Sequence, residues 1–233
     1  MGSSVSLKTV GPVPPGVSDD RERWNEKYAE ASFELPEEPI PELERRIATL
    51  PDGRALDVAT GTGRNATFLA ERGYDVDAID VADAALERAA ERADRRGVEV
   101  NWIRADVDEY TFDRRAYDLV TVSFFAGLDL LPELKEALAP GGVLVYEHHL
   151  RSADGVEVGP SSDRYRFRSN DLLRACLDLT VLYYEERLRS VIDGDAAVAT
   201  VVARNSTGGA QSYPRLEELG ADGRTGEDTG GTG

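Results

Sequence analysis

One stretch of the chain, residues 56–66, constrains the fold more than any other. A short apolar run leads through Asp57 into two glycines, Gly61 and Gly63, which are separated by one residue. Glycine lacks a Cβ, so the backbone can turn sharply there and a ligand can come close. An amphipathic helix is predicted to follow, and the N-terminus of a helix offers unpaired N–H groups to such a ligand. This order predicts an open α/β sheet that binds a nucleotide-like cofactor at the carboxyl ends of its strands.

Two classes of cofactor fit this glycine loop. The spacing Gly61-x-Gly63-x-x-Ala66 satisfies the G-x-G-x-x-G/A pattern of dinucleotide-binding loops. The second class is S-adenosylmethionine, and Asp57 favours it, because a carboxylate on the strand would repel a pyrophosphate. The same carboxylate suits the cationic amino group of a methionine moiety. A glycine pair alone leaves both classes open, so other parts of the chain have to discriminate between them.

The composition predicts a cytoplasmic protein from a salt-rich cell. The chain of 233 residues has a formal net charge of −17, and lysine occurs only as Lys8, Lys27 and Lys135. High salt screens the repulsion within such an acidic, lysine-poor surface, which indicates a halophilic protein; an ordinary acidic protein is the alternative. The same charge argues against binding to nucleic acids or to membranes, which require a basic surface.

Cysteine usage and hydropathy agree with that interpretation. The single cysteine, Cys176, excludes an internal disulfide and fits a reducing cytosol. It lies in an apolar stretch and is expected to be a small core residue, with a nucleophile as the alternative. No apolar run is long enough to span a bilayer, and no secretory signal is recognisable.

Alternating strand and helix patterns predict one doubly wound α/β domain over residues 18–204. Residues 1–17 are expected to form a flexible leader, and residues 205–233 a disordered acidic tail. The domain should contain a mostly parallel, seven-stranded sheet with helices on both faces. Asp193-Gly194 separates the last two strands and predicts a terminal antiparallel hairpin. The strands are expected at residues 54–59, 74–80, 98–104, 117–123, 143–148, 180–191 and 196–204.

Further polar residues should meet at the carboxyl edge of this sheet. Asp80 ends the second strand about 20 residues beyond the glycines, where an acid commonly binds a ribose diol through two hydrogen bonds. Asp106 follows the third strand, and Ser123 ends the fourth. The alternatives are a helix cap for Asp80, a solvated loop acid for Asp106, and a structural carboxylate that orients the loop for Asp57.

A helix is also predicted ahead of the sheet, from Ser18 to about Phe33. It carries Trp24 and Tyr28 on one face, four residues apart. An aromatic stripe of this kind indicates either core packing or a lid over the site.

In the order of these motifs, the chain resembles the class I S-adenosylmethionine-dependent methyltransferases, and most closely their small-molecule, tellurite-resistance-type branch. The likeness is carried by residues 57–66, 78–80, 104–106, 117–120 and 140–142, and it covers about residues 20–204. It implies that the 57–63 loop holds the methionine part of the cofactor, that Asp80 holds the ribose, and that Asp106 and Val107 hold the adenine. The predicted cofactor-binding residues are Asp57, Ala59, Gly61, Gly63, Arg64, Asp80, Val81, Asp106, Val107 and Ser123.

Two of these residues carry alternatives of their own. Ala59 departs from the family pattern, because many members have a glycine at this position. Arg64 either is a solvated residue of the first helical turn or reaches the carboxylate of the cofactor.

Fewer sequence motifs point to residues that bind the methyl acceptor. His148 and His149 lie at the carboxyl end of the fifth strand, and since neighbouring side chains of a strand alternate between faces, at most one should face the crevice. That histidine is a candidate general base, and a hydrogen-bonded structural histidine is the alternative. Residues 151–168 form a candidate substrate-covering loop, whose arginines either hold an anionic acceptor or pair with surface acids.

Together these patterns predict a methyltransferase that acts on a small-molecule acceptor with S-adenosylmethionine as cofactor. Methyl transfer from a sulfonium depends on alignment and water exclusion more than on a fixed catalytic side chain. The sequence has no zinc-binding spacing of Cys and His, and no Asn/Asp-Pro-Pro-Tyr-type element ends the fourth strand, which argues against nucleic-acid substrates. The alternatives are a nicotinamide-dependent oxidoreductase and a non-catalytic cofactor-binding module.

Overall fold

The computed structural model describes residues 8–9, 17–30, 36–191 and 194–206, and a single sheet lies at its centre. The strands are β1 (Lys8–Thr9), β2 (Arg54–Val58), β3 (Asp75–Asp80), β4 (Asn101–Arg104), β5 (Tyr117–Ser123), β6 (Leu138–His149), β7 (Thr180–Val191) and β8 (Gly194–Arg204). The helices are α1 (Val17–Ala29), α2 (Pro41–Arg46), α3 (Arg64–Ala70), α4 (Asp83–Arg96), α5 (Leu131–Ala137) and α6 (Asp171–Ala175).

The strands follow one another across the sheet in the order β1-β4-β3-β2-β5-β6-β8-β7. All pairs from β1 to β6 are parallel, whereas β8 is antiparallel to both of its neighbours, β6 and β7. The predicted mostly parallel sheet with a terminal antiparallel hairpin is therefore confirmed. The strand order reverses at β2, whose neighbours are β3 and β5, and in open α/β sheets ligands bind at the carboxyl edge beside such a switch point.

The N-terminal part of the chain differs from the prediction. Lys8 and Thr9, which fall in the predicted flexible leader, pair with Ile103 and Arg104 and add an eighth strand to the edge of the sheet. An edge strand needs only free backbone groups on its neighbour, so composition carries no sign of it. Helix α1 begins at Val17, one residue before the predicted start. The rest of the leader, the predicted helix end near Phe33 and residues 207–233 of the predicted tail lie outside the described residues.

The core forms one apolar layer on each side of the sheet, as expected for parallel strands that are covered on both faces. One layer is built around Leu56, Val120 and Leu144, and the other around Ala55 and Leu119. Cys176 is fully buried in the first layer, where burial raises the pKa of its thiol to about 11. This environment is that of a packed core residue rather than of a nucleophile.

Within the described ranges of the chain, no helix is both long enough and apolar enough to cross a membrane. The same residues contain no group of three or more His, Cys, Asp and Glu side chains that could hold a metal ion.

Candidate cofactor and acceptor site

The loop between β2 and α3 adopts left-handed backbone conformations at three positions. φ is +51° at Ala59, +56° at Gly61 and +72° at Gly63. A Cβ on Gly63 would lie 2.8 Å from the Cβ of Ala89 and from Cη2 of Trp102, so this glycine also permits α3 to pack closely on α4 and β4. Ala59 stands where the resembled family commonly has glycine, and a left-handed conformation costs a non-glycine residue about 1–2 kcal/mol.

Asp57 is buried beneath the loop and orients it. Its carboxylate accepts hydrogen bonds from the hydroxyls of Thr60, at 2.5 Å, and Thr121, at 2.7 Å, and a longer one from Nδ2 of Asn65, at 3.4 Å. Burial raises the pKa of this carboxyl, and the three hydrogen bonds oppose the rise. These contacts are the ones that a structural role for Asp57 requires. Contact with a cofactor stays a prediction for this residue.

Asn65 is a second organiser of the loop, and no motif identified it in the sequence. Its Oδ1 accepts the N–H of Ile40 at 3.0 Å, and its Nδ2 donates to the hydroxyl of Ser123 at 3.2 Å. One amide thereby links the segment before α2, the glycine loop and the end of β5. The available signal was a polar side chain on the apolar face of α3, three and four residues before Phe68 and Leu69.

Asp80 ends β3 with both carboxylate oxygens engaged and only 6% of its surface exposed. Oδ2 accepts the N–H of Gly61 at 2.8 Å, and Oδ1 accepts the N–H of Ala82 at 2.9 Å. Burial raises the pKa of Asp80 to about 6; backbone N–H groups, including that of Val81, oppose the rise, and the charge of Asp57 adds to it. A buried acidic pair of this kind suits a ligand that brings cationic groups and hydroxyl donors, and it would repel a pyrophosphate.

The predicted adenine-side residues lie beside Asp80. The N–H of Ala105 donates to the carbonyl of Asp80 at 3.1 Å, which brings the loop after β4 to the end of β3. The carboxylate of Asp106 accepts the N–H of Asp108 at 3.0 Å and closes a local turn, while Val107 is buried in the core. The structure thus brings these residues to the expected edge, and their contact with adenine stays a prediction.

Helix α1 lies across the same edge. Asn25 accepts the N–H of Ala84 at 3.1 Å and so ties α1 to the start of α4. Tyr28 lies close enough to Asp80 that the negative charge, added to burial, raises the pKa of its phenol. Its ring packs against that of Trp24, with the centroids 5.9 Å apart. This placement is the one that the lid interpretation of the aromatic stripe requires.

The acceptor side of the edge is organised around Phe124, which follows Ser123 and has a left-handed φ of +56°. Its ring stacks on His149, with the centroids 4.4 Å apart. The guanidinium groups of Arg64 and Arg189 lie 5.3 and 5.9 Å from the Phe124 centroid. The cluster of these four residues, Arg64, Phe124, His149 and Arg189, is called the Phe124 cluster below.

The rings of His148 and His149 lie edge to face, with their centroids 6.0 Å apart, and make different contacts. Nε2 of His148 donates to the carbonyl of Tyr165 at 2.8 Å, and the ring packs against Phe167 at a centroid distance of 4.2 Å. A carbonyl can only accept, so the proton of the neutral ring is on Nε2. Burial lowers the pKa of His148 to about 4. These contacts support the structural alternative for His148, and its catalytic role stays a prediction.

His149 is the histidine that lies in the Phe124 cluster. Its Nδ1 is buried and has no hydrogen-bond partner among the described residues. The covering loop packs tightly on the ring, because a Cβ on Gly159 would lie 2.8 Å from Nδ1. Burial, followed by the charge of neighbouring basic groups, lowers the pKa of His149 to about 3. The ring is therefore neutral at pH 7, and its catalytic role also stays a prediction.

The arginines of the covering loop, residues 151–168, hold the loop itself. Nε of Arg151 donates to the carbonyl of Asp163 at 3.1 Å, and Nε of Arg166 donates to the carbonyl of Pro160 at 2.9 Å. Hydrogen bonds of this kind fix the path of this loop, which contains one short 3₁₀ helix, Asp163–Tyr165. The guanidinium groups that flank Phe124, those of Arg64 and Arg189, lie outside this loop, while the charge of Arg166 within it also lowers the pKa of His149.

Comparison with known proteins agrees with this arrangement. Residues 55–142 match the family model of a methyltransferase domain. The demethylmenaquinone methyltransferase of Thermus thermophilus is 43% identical over 99 residues, which are 40% of this chain and 45% of that protein. The chain therefore spans less than half the length of this curated relative.

Two solved structures show the same fold. One was described for the conversion of a disulfide bond into a thioacetal group during echinomycin biosynthesis; it has a TM-score of 0.64 and 23% identity and covers 82% of this chain and 94% of that one. The other, TehB from Haemophilus influenzae, has a TM-score of 0.63 and 18% identity and covers 80% of this chain and 67% of that one. The glycine loop at the switch point therefore lies within residues 55–142, the part of the chain that matches a methyltransferase domain, and the surrounding fold is that of the two solved structures.

Proposed function

We propose that this protein transfers the methyl group of S-adenosylmethionine to a small-molecule acceptor. The observation that carries the proposal is the buried Asp80 carboxylate, which meets the glycine loop at the switch point of a methyltransferase domain. In this proposal Asp80 holds the ribose hydroxyls, Asp106 and Val107 hold the adenine, and the 57–63 loop holds the methionine part. When bound, the cofactor supplies both the methyl group and its own leaving group.

The charges of the site fit this cofactor. Asp57 and Asp80 are both buried, and each has a raised pKa, so a ligand that brings an ammonium and a sulfonium would stabilise their ionised forms. Nη2 of Arg64 is buried without a partner among the described residues, and Nη1 makes only a 3.3 Å contact with the carbonyl of Glu38. A guanidinium with a free donor suits the carboxylate of the methionine part.

In this proposal the protein promotes the reaction by aligning the acceptor with the methyl donor at the Phe124 cluster. The acceptor would lie near Ser123 and Phe124, with α1 and the covering loop excluding water. His149 is neutral at pH 7, so its ring can accept a hydrogen bond from the acceptor, and it can serve as a general base only if acceptor binding raises its lowered pKa. Acceptors that are already anionic would need no base.

The proposal includes a cytoplasmic setting with concentrated salt and no nucleic-acid or membrane partner. The support for this part is compositional: a net charge of −17 and three lysines in 233 residues. A small acceptor is favoured because α1 and the covering loop both lie at the edge where the acceptor must enter. The Thermus relative acts, by its name, on demethylmenaquinone, which is also a small molecule.

The experiment is a transfer assay with tritiated methyl donor in molar KCl. Purified protein is incubated with separate small-molecule, RNA and protein fractions of a halophile extract, and the label is counted in each. We expect label in the small-molecule fraction, lost in Asp80→Ala and kept in Asp75→Ala, an exposed acid at the other end of the same strand. Label that enters RNA or protein instead, or no transfer to any fraction, would overturn the proposal.

A further inference from the structure

We infer that the acceptor carries a carboxylate and that Arg189 binds it beside Phe124 and His149. This inference rests on the proposed function and narrows its substrate class. Arg189 would then determine the specificity for the acceptor. It lies on β7, outside every stretch that the sequence assigned to the cofactor.

The topology brings Arg189 to the acceptor edge. Strands β6 and β7 are both antiparallel to β8, so they run in the same direction and their carboxyl ends meet at one edge of the sheet. Nη1 of Arg189 lies 3.0 Å from each carboxylate oxygen of Glu147, which is only 1% exposed. Thr200 donates to the same carboxylate at 3.1 Å. Glu147 and Thr200 thus form a buried anchor that fixes the direction of the guanidinium.

The anchored guanidinium keeps hydrogen-bonding capacity for a ligand. Nε of Arg189 is buried and has no partner in the described part of the chain, while the side chain as a whole remains 18% exposed. An arginine has five N–H donors in a rigid fork that matches a carboxylate. A buried donor without a partner indicates that a further acceptor atom belongs there.

The electrostatics of the Phe124 cluster favour an anionic acceptor. The charge of Arg189 lowers the pKa of both Arg64 and His149, which places the three groups within electrostatic reach of one another. Two guanidinium groups lie at the Phe124 ring, and Arg189 is ion-paired with one carboxylate, that of Glu147. The charge of Arg166 also lowers the pKa of His149, so an acceptor carboxylate at this ring would meet a cationic surrounding that stabilises it.

The two arginines have separate tasks in this arrangement. Arg64 begins α3 directly after the glycine loop and therefore belongs to the cofactor side. Arg189 approaches Phe124 from the terminal hairpin and belongs to the acceptor side. The next arginine on its strand, Arg187, is paired with Glu185 at 3.4 Å and provides a matched control.

The test uses pairs of probes that differ in charge: hydroxybenzoic acids and aliphatic hydroxy acids, each with its primary amide. Calorimetry measures their binding to protein saturated with S-adenosylhomocysteine in molar KCl. We expect wild type to bind at least one acid about 10- to 100-fold more tightly than its amide. Arg189→Met should abolish that preference and leave amide binding unchanged, whereas Arg187→Met should keep it.

Removal of Arg189 leaves the buried Glu147 without its partner, which destabilises the fold. A second variant therefore separates the loss of acid binding from a loss of folding. Glu147→Gln combined with Arg189→Met removes both charges and should fold, bind S-adenosylhomocysteine normally and show no preference for acids. Equal binding of acids and amides by wild type, no acid bound at about 10 mM, or a preference that persists in either folded Arg189 variant would overturn the inference. Loss of S-adenosylhomocysteine binding by wild type would instead refute the proposed function itself.

Discussion

Acidification should weaken cofactor binding through the buried carboxylates, with Asp80 as the group whose pKa lies in an accessible range. Burial raises its pKa to about 6, whereas the ordinary value is 3.8. The ribose hydroxyls would donate to the ionised form, so the complex favours that form and releases a proton on binding below pH 6. Affinity for S-adenosylhomocysteine should therefore rise with pH up to about 6, by as much as tenfold per pH unit, and level off above about pH 7.

The Asp80 carboxylate should affect the stability of the unliganded protein in the opposite direction: its contribution to the free energy of unfolding should fall as the pH rises. Because the pKa is raised on folding, the folded state binds the proton more tightly than the unfolded state. The stabilisation by protonation is fully present below pH 3.8 and is lost as the pH rises through about 6. A shift of about two pKa units corresponds to about 3 kcal/mol in the free energy of unfolding.

Calorimetric titrations from pH 5 to 8 check the binding profile, and urea denaturation over pH 4 to 7 checks the stability profile. Asp80→Asn should bind more weakly with a smaller dependence on pH across this window, and Asp75→Asn should behave like wild type. A flat wild-type binding profile between pH 5 and 6.5 would refute the reasoning. So would an Asp80→Asn variant that keeps the wild-type slope.

Three further changes have expected outcomes. Ala59→Gly relieves the left-handed conformation at φ +51° and should raise the free energy of unfolding by up to about 1 kcal/mol in urea denaturation; a decrease would show that Ala59 is not strained. Denaturation midpoints should rise with KCl toward molar concentration because salt screens the −17 net charge, and flat or falling midpoints would refute the halophilic interpretation. His149→Ala should lower kcat about 10²- to 10⁴-fold at unchanged cofactor Kd if His149 is a general base; a drop of only a few-fold would limit the ring to packing on Phe124.

The fold was predictable because its signals are local. Short strands rich in buried apolar residues alternate with helical segments along the chain, and this alternation predicts a parallel sheet. The offset of Asp80 from the glycine loop is likewise a matter of chain distance within one strand–helix–strand unit. The strand at Lys8 and Thr9 escaped prediction because it depends on a free edge of β4, which no local pattern reports.

The acceptor side was less predictable because it is assembled from distant segments. Arg189 meets Glu147 only because β8 turns back between β6 and β7, so a contact across 42 positions depends on sheet order. The sequence left the arginines of the 151–168 loop with two alternatives, an anionic acceptor or surface acids, whereas Arg151 and Arg166 donate to backbone carbonyls of that loop. The stacking of Phe124 on His149 likewise joins the ends of two strands.

The most direct test of a methyl-donor site at this sheet edge is a pair of calorimetric titrations of the wild-type protein in molar KCl at pH 7.5. One uses S-adenosylhomocysteine, and the other uses NAD at the same concentration. We expect S-adenosylhomocysteine to bind at one site per chain, with binding weakened about 10- to 100-fold in Asp80→Ala, and NAD to give no binding heat. Saturable binding of NAD, with none of S-adenosylhomocysteine, would contradict the assignment.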